Sequence, residues 1–177
     1  MDTTLKMATF PRHGHLVMGF FPSILELFKR NEIYPLQEEH ILAFRGKKFS
    51  GDETLIDVTT IDNKNYYSEH VIDLLDFVQP DFLFFKENSY LQNLNGLRTI
   101  GVPDLVVEVW SANNDEYEKS FKRRLYSSSP MCEHWYLSQT DNLIECYLGS
   151  QKLQNQHLSI PLVTQKGIVF DLTYLAL

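Results

Sequence analysis

Leu105, Val106, Val107 and Val109 form a continuous apolar run, the pattern of a strand covered on both faces. Glu108 interrupts it. A carboxylate in such a strand costs several kcal/mol unless it is paired, protonated or bound to a metal, so this position calls for a partner. The polar stretch from Ser111 to Asp115 follows, where Asn113, Asn114 and Asp115 can each accept from the free N–H groups of a helix start. The helix predicted next carries Glu118, Lys122 and Tyr126 at steps of four, hence on one face, and ends near Ser129, before Pro130.

From His13 to Asn31 the period is also helical, with Leu16, Phe20, Ile24, Leu25, Leu27 and Phe28 recurring at three and four. Pro22 kinks this helix or opens the first turn of its better-formed half, and Glu26 is assigned to solvent. Residues 1–11 are expected to be loose. Strands are predicted at Ile41–Phe44 and Leu55–Ile61; Tyr66–Phe77 fits either state. Pro80-Asp81 opens a second apolar run, Phe82–Phe85, and Tyr90–Thr99 is a polar connection to the Glu108 strand. The two runs are therefore candidates for one antiparallel pair. Glu133–Leu137, Leu143–Leu148 and Ile168–Leu172 complete the strand pattern. Nothing marks an internal boundary, so the expectation is a single domain over 1–177: α/β, with a mixed central sheet flanked by helices.

Composition adds limits. With 177 residues, 44% of them apolar and 13% aromatic, the chain is long enough to bury a core. A net charge of −7 disfavours non-specific binding to nucleic acid, which needs Lys and Arg against phosphates, so any such contact must come from a local basic patch. Cys132 and Cys146 lack the spacing of a metal site, which points to reduced core thiols and a cytoplasmic protein. Leu16–Phe28 is too short to span a bilayer, so no membrane association is expected.

An antiparallel pairing sets the start of one strand beside the end of the other, which brings Asp81 close to Glu108. Asp104, four residues back from Glu108 along its strand, falls roughly 13 Å away and should miss the cluster. Two hard oxygen ligands suit Mg²⁺ or Mn²⁺, which activates water and stabilises a phosphoryl transition state. Lys122 could orient that water or hold a phosphate oxygen, with Lys119, Arg123 and Arg124 beside it for a nucleic-acid backbone. The plainer readings are a solvated basic face for these cations, core packing for Tyr126, a turn or cap for Ser111, and a structural role for His134 and Trp135. His13 and His15 have no partner at ligand spacing.

The segments VQPDFLFF, GVPDLVVEVWS, K-x-x-L-Y and EHWYL together resemble the signature of the Uma-type family of restriction-endonuclease-like proteins, within the PD-(D/E)XK nuclease superfamily. The resemblance runs from about Pro80 to Tyr147. It places the family's two acids on Asp81 and Glu108, its strand-ending serine on Ser111, and its helical lysine and tyrosine on Lys122 and Tyr126. The superfamily's usual lysine, two positions after the acid, falls on Trp110, which implies that its role has moved to Lys122. Ala112 stands where the family has proline, and Glu118 where it has aspartate. The resemblance implies a Mg²⁺-dependent endonuclease acting on DNA; since one metal cluster cuts one strand, a homodimer is expected. Two alternatives stay open, a binding or assembly module that keeps the fold without turnover, and a hydrolase of small phosphorylated compounds.

Overall fold

The apolar strands gather into one mixed sheet in the computed structural model of the chain, which describes residues 3–30, 34–36, 41–43, 47–49, 55–57, 78–86, 91–92, 98–111 and 114–177. The first half comprises α1 (Thr3–Lys29), β1 (Tyr34–Leu36), β2 (Ile41–Ala43), β3 (Lys47–Phe49), β4 (Leu55–Asp57), β5 (Phe82–Phe85), β6 (Leu91–Gln92) and β7 (Arg98–Ile100). There follow β8 (Leu105–Trp110), α2 (Glu116–Ser127), β9 (Glu133–Ser138) and β10 (Leu143–Leu148). Four short strands close the chain: β11 (Gln151–Lys152), β12 (Gln156–His157), β13 (Leu162–Val163) and β14 (Val169–Phe170). The central sheet has the order β1-β5-β8-β9-β10-β11, with β12 also on β10. β8 and β9 are parallel, joined by α2 as the crossover such a pair requires. The predicted antiparallel pairing of the two apolar runs is present, with Phe82 opposite Val107 and Phe84 opposite Leu105.

The alternation along β8 sorts its side chains between two cores. Leu105, Val107 and Val109 pack with Leu16, Phe20, Ile24 and Leu27 of α1. Val106 packs on the opposite face with Leu125 and Tyr126 of α2. Glu108 shares the parity of Val106, so it is turned toward α2. On the α1 side, Phe20 stacks on Phe82 at 5.7 Å and meets the edge of Phe170 at 5.8 Å. Fully burying such a side chain contributes about 1.5–3 kcal/mol.

α1 begins at Thr3, inside the segment expected to be loose. The reason is propagation. Leu5, Lys6, Met7 and Ala8 are good helix formers, and extending a helix already nucleated against a core is cheap. The same helix docks on the far end of the described chain. Arg12 Nη2 donates to the Leu175 carbonyl at 2.9 Å, and the Tyr174 hydroxyl donates to the Gly19 carbonyl at 2.5 Å. Glu26 is exposed and paired with Arg30 at 3.2 Å, as expected of a solvent position.

Where the pattern failed, the strands are short. β6 and β7 pair antiparallel inside the stretch taken as a connection, and β7 pairs parallel with β2. Strands of two or three residues carry no readable period and depend on their partners. Of the Leu55–Ile61 prediction only Leu55–Asp57 is described as strand, and the undecided segment 66–77 lies outside the described residues.

His134 has the structural role assigned to it. It is buried; its Nε2 donates to the Gly149 carbonyl at 2.9 Å, and its Nδ1 accepts from the Tyr136 hydroxyl at 2.7 Å. Burial lowers its pKa to about 4, so the ring is neutral at physiological pH. Gly149 has φ of 53°, and a Cβ there would meet Pro130 Cα at 2.8 Å. Gly149→Ala should therefore destabilise the chain by about 1–3 kcal/mol, a loss visible as a lower midpoint in urea unfolding. Cys132 and Cys146 are free and buried, in keeping with reduced thiols.

Candidate active site

Three elements converge at the end of the β5–β8 pair. β8 supplies Glu108, which is 2% exposed. Asp81 sits one residue before β5, at the position that the ladder's register sets opposite Glu108, and its Oδ2 accepts from the Val109 N–H at 2.7 Å. α2 starts with Asp115 as its N-cap, which accepts from the Tyr117 N–H at 2.9 Å, and its phase aims Lys122 and Tyr126 back at β8.

Glu108 is held from both sides. Lys122 Nζ donates to its Oε2 at 2.9 Å, and the Tyr126 hydroxyl donates to its Oε1 at 2.5 Å. Lys122 is further bound by the Gln79 carbonyl at 3.0 Å and by Glu118 at 3.3 Å. Burial raises the Glu108 pKa to about 7, Lys122 opposes this, and the neighbouring Asp81 charge adds to it. For Lys122, burial works against the charge, but Glu108, Glu118 and Asp81 outweigh it, and the ammonium titrates above its ordinary range. Burial also drives the Tyr126 hydroxyl well above its ordinary value, so it stays a donor.

Asp81, Glu108, Lys122 and Glu118 line one pocket of about 270 Å³, together with His13, Gln79, Pro80, Val109, Trp110 and Asn114. Tyr126 lies beneath it, fully buried, and serves both the core and the carboxylate. Asp104 is elsewhere, as predicted. It accepts from the Lys86 N–H at 2.5 Å and pairs with Lys166.

Sequence reasoning missed His13. Its Nε2 donates to Asp81 Oδ1 at 3.0 Å, across 68 positions of sequence, so no local spacing reveals the pair. A usable sign did exist. His13 lies three residues before Leu16, on the line continued by Phe20, Ile24 and Leu27, and is thus a polar group on a core-facing stripe. Gln79 also escaped notice, because it acts through its backbone carbonyl.

The remaining candidates gather on the other side of Trp110. Ser111 donates its N–H and hydroxyl to Asn114 Oδ1, at 2.6 and 3.0 Å, as a turn residue. Ser111, Lys119 and Arg123 line a second cavity of about 280 Å³, together with Trp110, Tyr136, Leu137, Ser138, Thr140, Asp141, Leu143 and Glu145. Lys119 pairs with Glu116 at 2.7 Å and Arg123 with Glu145 at 3.2 Å. Arg124 lines neither cavity. Ala112 and Asn113 are outside the described residues.

Among the described residues no group of three or more His, Cys, Asp and Glu side chains forms a ready metal site, so Asp81 and Glu108 are the donor set to be weighed. They fit a hard divalent cation. Each carboxylate oxygen can accept more than once, the pocket is lined mainly by polar groups, and Mg²⁺ keeps several waters while using one or two carboxylates. A cation would also relieve the cost that lifts the Glu108 pKa.

A mixed sheet with helices on both faces is the arrangement of a restriction-endonuclease-like fold. A solved structure shares it: a "putative nuclease belonging to DUF820" from Anabaena variabilis, with TM-score 0.59, 14% identity, and cover of 94% of this chain and 82% of that one. The family described as "Uma2: Putative restriction endonuclease" matches residues 58–173, and the chain belongs to that family. No curated protein matches it. Among the described residues no helix is long and apolar enough to cross a membrane.

Proposed function

We propose that the chain is a Mg²⁺- or Mn²⁺-dependent endonuclease that hydrolyses phosphodiester bonds in DNA. The observation carrying this reading is the convergence of Asp81, Glu108 and Lys122 in one polar pocket, in a chain of this family. Asp81 and Glu108 would hold the ion, which would supply Lewis-acid charge and a more acidic water. Lys122 sits where it can neutralise charge developing on a phosphate oxygen, fixed there by Gln79 and Glu118. Tyr126 orients Glu108, and His13 orients Asp81. Lys119, Arg123 and Arg124 of α2 would meet the DNA backbone only by exchange, Lys119 giving up Glu116 and Arg123 giving up Glu145. A homodimer would bring two such sites to one DNA molecule.

A second reading is a module that keeps the fold without turnover. It is favoured by the fact that all four oxygens of Asp81 and Glu108 already accept from protein donors. Cleavage of plasmid and single-stranded DNA in Mg²⁺ and Mn²⁺ separates the two. The nuclease should cut, Asp81→Asn should lose about 10²-fold or more, and the rate at limiting metal should climb with pH through about 7, as the ion displaces the proton of Glu108. Cutting unchanged by Asp81→Asn, or a rate indifferent to pH across that range, would count against the assigned site.

A further inference from the structure

The cavity of about 280 Å³ on the far side of Trp110 is not used by the chemistry above. Trp110 lines both it and the carboxylate pocket, so the two share a wall. The local sequence explains its character. β8 and β9 run parallel, and Trp110 pairs with Ser138 at their C-terminal ends, where open α/β sheets receive ligands. Trp110 stacks on Tyr136 with centroids 4.2 Å apart, and Arg123 lies over both rings, 4.7 Å from the first and 5.0 Å from the second. Hydroxyls of Ser111, Ser138 and Thr140 and carboxylates of Asp141 and Glu145 complete the lining.

Its charges argue against a second phosphate. Lys119 and Arg123 are already paired with Glu116 and Glu145. What remains is a flat cationic and aromatic wall, with hydroxyls and carboxylates as acceptors and the buried Arg123 Nε without a hydrogen-bond partner. That surface suits an uncharged planar heterocycle bearing N–H groups. We infer that this cavity is a subsite for an unpaired base of single-stranded DNA, seated against Trp110 and Arg123 beside a phosphate that Lys122 and the cation on Asp81 and Glu108 would hold. The inference rests on the nuclease reading and narrows its substrate, because a base within a duplex is stacked and cannot enter such a cavity.

Trp110 provides its own reporter. Trp135, the other tryptophan, is fully buried, so a ligand-dependent change in emission belongs to Trp110. The full chain, with Ca²⁺ in place of Mg²⁺, is titrated with a short oligothymidylate, with the same length of abasic strand, and with a duplex of mixed sequence. Oligothymidylate should quench the emission and bind about tenfold tighter than the abasic strand. Thr140→Tyr, at an exposed position, fills the cavity without touching the core and should remove both the quenching and the preference. Equal affinity for the two strands, or quenching untouched by Thr140→Tyr, would overturn the subsite. Duplex cleavage without base preference would overturn the subsite alone, whereas no binding to any DNA at low salt would overturn the nuclease reading with it.

Discussion

Glu108→Gln is expected to abolish divalent-dependent DNA cleavage, by about 10²–10³-fold or more, while the chain stays folded and keeps its affinity for DNA. Gln has the same shape and still offers an oxygen to Tyr126 or Lys122, so the packing around β8 survives. What disappears is the charge a cation would need. Stability provides an independent readout. The Glu108 pKa lies at about 7 in the folded chain, above the ordinary 4.5, so the folded state binds an extra proton between these values. The stability it contributes is fully present below about pH 4.5 and is lost as pH rises through about 7. Urea unfolding across this window should show that decline in the wild type and little of it in Glu108→Gln. If both proteins followed the same pH dependence, the buried acid would not be the titrating group.

Lys122→Met should be the most damaging change to stability near the site. With Lys122 gone the Glu108 pKa rises further, because Lys122 had held it down, and once the pH is high enough to ionise it the buried carboxylate without its cation costs about 3–5 kcal/mol. Below that pH, Glu108 takes a proton and the cost falls. Denaturant midpoints measured on either side of neutrality test the pairing, since loss of side-chain packing alone would cost the same at both. The double variant with Glu108→Gln should recover much of the loss, because neither charge then lacks a partner. Cleavage should drop by about 10²-fold in the single variant, the usual effect of removing one group that stabilises transition-state charge.

Much of this site was legible in the chain because each clue was a local conflict. Glu108 stood inside a valine run, and steps of four placed Glu118, Lys122 and Tyr126 on the helix face that meets it. The antiparallel pairing then followed from two apolar runs, and Asp81 came with it. His13 was hidden because its partner is fixed by how α1 crosses the sheet, which no nearby spacing encodes. The second cavity was equally hidden. Trp110 looked like a lost lysine, and only the stacking of Arg123 on Trp110 and Tyr136 shows it as a wall. Short strands such as β6 and β7 owe their existence to partners found elsewhere, so pattern alone could not reveal them.

The docking of α1 on residues near Tyr174 and Leu175 bears on how the chain acquires its structure. Arg12 and Leu175 are 163 positions apart, yet they flank the same helix turn that presents His13 to Asp81. A nascent chain makes this helix before the residues that cover it, from Phe82 and Leu105 to Phe170 and Leu172, and completes its packing only when the last of them is synthesised. Such high contact order slows folding. It also means that the helix carrying His13 is clamped at Arg12 and Gly19 only after Tyr174 and Leu175 have been made.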